Sequence, residues 1–316
     1  MLRILKAAYG LSTAPRVFWQ DFKAKIEKEV GAIPVDGDPC AWVVPSPSTG
    51  EPIGHIGCHV DDLLLSGDPR NPEWEEKRQL IKSLYAWGSW KEGAFRFVGI
   101  DLQQRGDFSI VLDQQFYADE ISLIDPQEVR LSEEGASLNT GEHRILRSKL
   151  GALQWLAVQS RPTLVARCNL LLSEVKVGAP MSVALETQTL LKEARKPPET
   201  HTVVMQTFTG IEDWRQLCPI VFCDASLRNR HDLHSTGGLF AVLGPVVALD
   251  GEPVPLSPVG WRSWKLDRKA LSSNHAEVQA CNTSESLLFR LRVCWAALNL
   301  ALGTKIQETD LKTRRY

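Results

Sequence analysis

Nowhere in the 316 residues does a run of about 18 apolar residues occur, which argues against a membrane-spanning helix. The opening Met1-Leu2-Arg3-Ile4-Leu5-Lys6 lacks the apolar stretch and cleavage site of a signal peptide. Both absences lead us to expect an intracellular protein, cytoplasmic or nuclear, with no membrane partner. There are seven cysteines but no Cys-x-x-Cys pair, so neither a disulfide framework nor a zinc site is indicated. His55 and His59 flank Cys58, yet no second cluster has zinc-ligand spacing. No internal repeat and no low-complexity tract is found. Charge of one sign is also missing: the net charge is −2 and the pI about 6.4. A partner as acidic as nucleic acid would therefore have to be met by a focused basic patch.

What remains is the composition of a soluble globular chain, 43% hydrophobic and 23% charged, long enough for two or three domains. Its most informative stretch is His59-Val60-Asp61-Asp62. Apolar segments, Ile53 to Cys58 and Leu63 to Leu65, flank the two carboxylates, and Ser66-Gly67-Asp68 closes the unit. This reads as strand, two-residue turn, strand, because Asp accepts the backbone angles of a tight turn. Such a hairpin would hold both carboxylates at one exposed tip, where oxygen ligands suit a hard divalent cation.

Three further blocks surround it: Leu5 to Arg16 (with Tyr9-Gly10-Leu11 and Ala14-Pro15-Arg16), Phe97-Val98-Gly99-Ile100, and Leu146-Arg147-Ser148 through Gly151, Leu153 and Trp155-Leu156 to Arg161-Pro162. In this order they resemble the reverse transcriptase of copia-type (Ty1-like) retrotransposon polyproteins, which carry a YGLKQAPR-like block, a YVDD box and an FLGI block. His59 stands where that family has tyrosine. The resemblance continues downstream in Cys223-Asp224-Ala225-Ser226, Ser235-Thr236-Gly237-Gly238, Trp261 to Lys265 and Ala270 to Glu277, which are similar to blocks of the family's ribonuclease H.

The resemblance implies RNA-templated DNA synthesis with Mg²⁺ (or Mn²⁺), followed by hydrolysis of the RNA strand. Partners would be an RNA/DNA template-primer and deoxynucleoside triphosphates. Asp61, Asp62, Asp224 and Glu277 would be catalytic metal ligands. Tyr9, Gly10, Ala14, Pro15 and Arg16 would shape the nucleotide and template site. It also implies another palm aspartate before the first block and a third ribonuclease carboxylate after the last. Neither is found, and Asp310 precedes any convincing strand. We therefore expect both metal cages to be incomplete and the chain by itself to be inactive. The alternative is a non-catalytic nucleic-acid-binding or interaction remnant of a degraded element. A third reading is a slice of a larger frame with no independent role.

The expected fold is α+β and α/β: a partial polymerase palm with the Asp-Asp hairpin over 1–112, a mostly helical thumb and connection over 113–200, and a truncated ribonuclease H-like mixed sheet with helices over 201–316. Periodicity predicts helices over 14–30 and 72–85, with Val17, Phe18, Phe22 and Ile26 on one face of the first. It also predicts two strands within 95–112 joined at Arg105-Gly106-Asp107, and helices within 113–125 and 141–174. Arg144, Arg147 and Lys149 could touch phosphate, although a solvated helix face explains each singly. Lys196-Pro197-Pro198-Glu199 marks a linker. Strands follow over 202–208, 219–223, 237–243 and 259–264, then a long helix capped by Ser273 and carrying Glu277 in its first turns.

Overall fold

The computed structural model describes residues 12–133, 135–197, 202–211 and 213–300. Tyr9 and Gly10, and part of the Lys196–Glu199 linker, lie outside them. The described chain is α+β, with seven α-helices and three sheets whose strand pairings are all antiparallel. It divides into two compact units, residues up to Lys91 with those from Phe289 onward, and Glu92–Leu288. The boundaries expected from the sequence fell at 112/113 and 200/201 instead.

In the first unit, α1 (Ala14–Lys25) opens with Pro15 in its first turn, where a missing N–H costs nothing. It runs on into a π-helical turn, Ile26–Val30, which Gly31 ends at φ 78°. Phe22 and Ile26 are fully buried, but Val17 is exposed, so the expected apolar face is narrower than its spacing suggests. Four strands follow: β1 (Ile33–Val35), β2 (Asp38–Pro45), β3 (Pro52–His59) and β4 (Asp62–Gly67), in spatial order 1-2-3-4. Helix α2 (Pro72–Ser83) begins where the Asn71 side chain accepts hydrogen bonds from the N–H groups of Glu73 (2.9 Å) and Trp74 (3.2 Å). One core joins these elements through Phe22, Ile26, Trp42, Ile56, Trp74 and Ile81. Phe22 meets the Trp42 indole edge-on at 5.6 Å.

The hairpin β3–β4 is fixed from one side. Gly54 and Gly67 are direct cross-strand partners, and the Trp74 ring lies over both. A Cβ on Gly54 would stand 2.2 Å from Trp74 Cζ3, and one on Gly67 2.4 Å from Cε2. Trp74 is 2% exposed. Only glycine at both positions lets the indole reach the backbone.

In the second unit, β5 (Ala94–Phe97), β6 (Ile100–Gln104), β7 (Ile110–Asp113) and β8 (Val203–Met205) form one sheet in spatial order 5-6-7-8. The sequence suggested two strands over 95–112; there are three. Val98 and Gly99 both take positive φ, 50° and 77°, and turn the chain between Phe97 and Ile100. Strand β8 was expected to open the ribonuclease-like part, yet it pairs with β7, with Ile110 opposite Met205.

The helices are α3 (Gln115–Glu120), α4 (Thr140–Gln159), α5 (Pro162–Glu174) and α6 (Ser182–Ala194). The long helical stretch expected over 141–174 breaks at Ser160-Arg161, because Pro162 cannot donate to the preceding turn. Leu146, Leu150, Leu153 and Leu156 are fully buried and form the core with Leu164, Cys168 and Leu190. Strands β9 (Leu217–Ser226), β10 (Thr236–Pro245) and β11 (Ser257–Lys265) form an antiparallel meander in order 11-10-9, not the mixed sheet expected, among the described residues. Helix α7 (Ser273–Leu298) covers one face of it through Ala276 and Ala280. Its first turn is capped by the Ser272 hydroxyl, which accepts from His275 N–H at 3.2 Å, one residue before the expected Ser273.

Helix α4 starts with a reciprocal cap. The Asn139 side chain accepts from Glu142 N–H, and Glu142, 2% exposed, accepts from Asn139 N–H and from Arg130 Nε at 2.8 Å. The Arg130 guanidinium, aided by the backbone donors, holds the Glu142 carboxyl down at about 2 from an ordinary 4.5. A lowered folded-state pKa contributes stability that is complete above the unfolded value and lost as pH falls through the folded one. Between pH 4.5 and about 2 the second unit should therefore lose stability through this group. Acid titrations of unfolding should show that component vanish in Glu142→Gln; an unchanged acid limb would mean that the cap carries no such linkage.

Candidate functional site

The last cross-strand pair of β3 and β4 is His59 with Asp62, leaving Val60 and Asp61 as the two turn residues. The turn is thus Val60-Asp61, one residue earlier than an Asp-Asp turn, and Asp62 begins β4. Val60 takes φ 56°, a region that a β-branched residue adopts only under strain. Its carbonyl accepts from the Cys58 thiol at 3.4 Å. Asp61 and Asp62 are both exposed. Their charge is felt beneath the turn: burial first, then Cys40, Asp61 and Asp62, push the Cys58 thiol up to about 11. The structure thus brings the two carboxylates together at one exposed tip, above a buried sulfur.

Helix α1 belongs to the same unit. Phe18 and Trp19 pack on the cluster that contains Cys58 and on which Leu63 and Leu65 also rest. Ala14, Pro15 and Arg16 form its first turn, with Pro15 and Arg16 exposed. His55 is committed elsewhere, its Nε2 bonding the Leu298 carbonyl at 2.9 Å. It also alternates to the face of β3 opposite Cys58, so the His55-Cys58-His59 trio is split.

The second acidic pair is arranged differently. Along β9, Val221 and Ala225 pack toward the α7 cluster, and the Cys223 thiol between them is pushed up by burial first, with Ser284, Cys281 and the charge of Glu277 also acting on it. Strand alternation sends Asp224 to the other face with Phe222, across Gly238 from Ser263. The charge of Glu277 is felt at Cys223, and Asp224 lies on the opposite face of β9 from that cysteine. Among the described residues, no group of three or more His, Cys, Asp or Glu side chains could hold a metal ion.

Arg161, from the Arg-Pro block, is fully buried rather than offered to a ligand. Its Nη2 donates to Gln115 Oε1 at 2.8 Å and Asp113 Oδ1 at 3.4 Å, and burial lowers its pKa against the pull of Asp113 and Asp119. Arg147 donates to the Leu172 carbonyl and Lys149 to the Ser122 hydroxyl, so both basic side chains are engaged on their own unit. The Trp74 seat on Gly54 and Gly67 escaped sequence reasoning. Its signal was present in two strand glycines, Gly54 inside β3 and Gly67 at the end of β4, and strand glycines often mark close approach of another group.

No family model, curated protein or solved structure matches the chain.

The strained turn gives a direct test of the tip. Asn tolerates left-handed backbone where Val does not, so Val60→Asn should raise stability by about 1 kcal/mol. Urea unfolding measures it. A loss of stability would mean that the Val60 side chain, 45% exposed, makes a contact worth more than the strain.

Proposed function

We propose that the chain is part of a copia-type retroelement RNA-directed DNA polymerase with ribonuclease H, comprising palm, thumb and connection, and ribonuclease-like segments. The observation that carries this reading is the β3–β4 hairpin, with Asp61 and Asp62 exposed at its tip and the Ala14-Pro15-Arg16 turn of α1 in the same unit. Two adjacent carboxylates on a rigid ladder supply the hard oxygen donors that Mg²⁺ or Mn²⁺ prefers. A cation held there would neutralise charge on the phosphates of a nucleoside triphosphate. Asp61 and Asp62 would hold it, and Arg16, exposed at the start of α1, would add a cationic contact to template or nucleotide. An RNA/DNA template-primer and deoxynucleoside triphosphates are the partners this reading requires, and a cytoplasmic or nuclear compartment follows from them.

Asp224 and Glu277 support a shared metal less directly, because strand alternation turns Asp224 away from Cys223, where the Glu277 charge is felt. That orientation of Asp224 favours a second reading: a non-catalytic nucleic-acid-binding or interaction remnant of a retroelement, in which the carboxylates survive and the ribonuclease cage does not.

Mn²⁺ binding followed by electron paramagnetic resonance tests the hairpin directly. The double change Asp61→Asn, Asp62→Asn should weaken binding by about tenfold or more, since neutral amide oxygens then replace both charged donors. Asp224→Asn should leave it unchanged. Equal affinity in the wild type and the hairpin variant would remove the metal-binding reading. Cleavage of an RNA–DNA hybrid should stay at background; cleavage that Asp224→Asn abolishes would show that the two carboxylates do meet.

A further inference from the structure

Within the second unit, a cleft of about 590 Å³ opens between α4, α5 and β11. Its size falls in the range of small-molecule sites. Val158, Val165 and Leu172 supply an apolar wall. On the facing strand, Trp261, Ser263 and Lys265 alternate toward it, with the indole donating to the Ala157 carbonyl at 2.8 Å. No carboxylate lines the cleft, in a chain whose net charge is −2.

Two sets of groups there lack their natural partners. Ser263 is 5% exposed, and its hydroxyl has no hydrogen-bond partner; nor does the buried Oε1 of Gln154. A buried polar atom left unpaired destabilises the fold, a cost that a bound group would relieve. Arg230, also 5% exposed, is a buried cation whose Nε donates to Thr236 Oγ1 at 3.0 Å and whose Nη2 donates to Asn169 Oδ1, both neutral acceptors. Burial lowers its pKa, while Asp232 and Glu174 act against that. Asp232 itself is paired with Lys265. Asp224 shares the sheet face with Ser263 but stands two strands away, roughly 10 Å at normal strand spacing. A cation buried without a directly bonded anion is an expensive arrangement unless an anion completes it.

We propose that this cleft binds a small phosphate monoester. Arg230, Ser263 and Lys265 present three donors from two separate segments. A phosphate monoester meets them with three terminal oxygens and a charge of about −2, whereas a carboxylate brings two oxygens and a single charge. The ester's organic body lies on Val158 and Leu172, and a hydroxyl or amino donor on it satisfies Gln154 Oε1. Arg230 is set back from the surface, and its depth favours a small ester over the backbone of a long nucleic acid. The inference stands apart from the polymerase reading and uses none of the catalytic or substrate-binding residues that reading assigns.

Calorimetric titration of the full chain with phenyl phosphate, inorganic phosphate and phenylacetate tests it. Phenyl phosphate should bind saturably at one site, inorganic phosphate more weakly, and phenylacetate without saturation. Ser263→Ala and Lys265→Met should each weaken phenyl phosphate by about tenfold, the effect of one hydrogen bond to a charged group. Arg230→Gln should abolish binding; if circular dichroism shows that this variant is unfolded, the other two carry the test. Absence of saturable phenyl phosphate binding at millimolar concentration overturns the proposal. So does binding that neither Ser263→Ala nor Lys265→Met affects. A single-stranded oligonucleotide that displaces phenyl phosphate, with the same dependence on the variants, would assign the cleft to a nucleic-acid backbone and also overturns it.

Discussion

The indole of Trp74 against the paired glycines of β3 and β4 is the contact on which the first unit depends. The side chain is 2% exposed and sits where any Cβ on Gly54 or Gly67 would collide with it. Asn71 sets its position by capping α2, so the helix start and the hairpin are one construction. The Glu73 carboxylate accepts from Ser46 Oγ, which ties the same helical turn to the end of β2. Because strand register is locked at Gly54 and Gly67, it is also locked at His59 and Asp62, further along the same ladder. A one-residue slip would exchange the buried Ile56 and Cys58 for His55 and Gly57 and turn the acidic tip over.

The tip and the second unit spend stability in different places. At the tip the cost is backbone strain at Val60. In the second unit it is buried polar groups: Arg161 with two unpartnered nitrogens, Arg230 held by neutral acceptors, and Ser263 with an unpaired hydroxyl. The buried leucines of α4 and α5 offset such costs, each fully buried apolar side chain contributing roughly 1.5–3 kcal/mol. Strain and unpaired polarity collect at functional places more often than elsewhere, which is why both the hairpin and the cleft merit assay.

Much of this was legible in the sequence where one periodicity governs. The alternation around Asp61-Asp62 gave the hairpin, and the spacing of Leu146, Leu150 and Leu153 gave a buried helix face. Failures came where long-range pairing or an unexpected backbone angle decided. Strand β8 joins β7 across some ninety residues of chain, a pairing that no local pattern records. Val98 and Val60 both sit at positive φ, against their intrinsic preference, so neither turn announced its position. Asp224 and Glu277 were placed on the right elements, a strand end and the first turns of a helix, but strand alternation turns Asp224 away from Cys223, where the Glu277 charge is felt. The cleft at Ser263 draws on three separate elements and had no signature in the sequence.

Hydrogen exchange on Gly54→Ala measures whether Trp74 holds the hairpin. The added Cβ would lie 2.2 Å from Trp74 Cζ3, and overpacking of that kind costs about 1–3 kcal/mol. The account predicts faster exchange of the β3 and β4 amides, by roughly ten- to a hundredfold, with α4 and α5 in the other unit keeping their protection. Unchanged protection across β3 and β4 would contradict it, because the acidic tip would then owe its position to something other than the tryptophan.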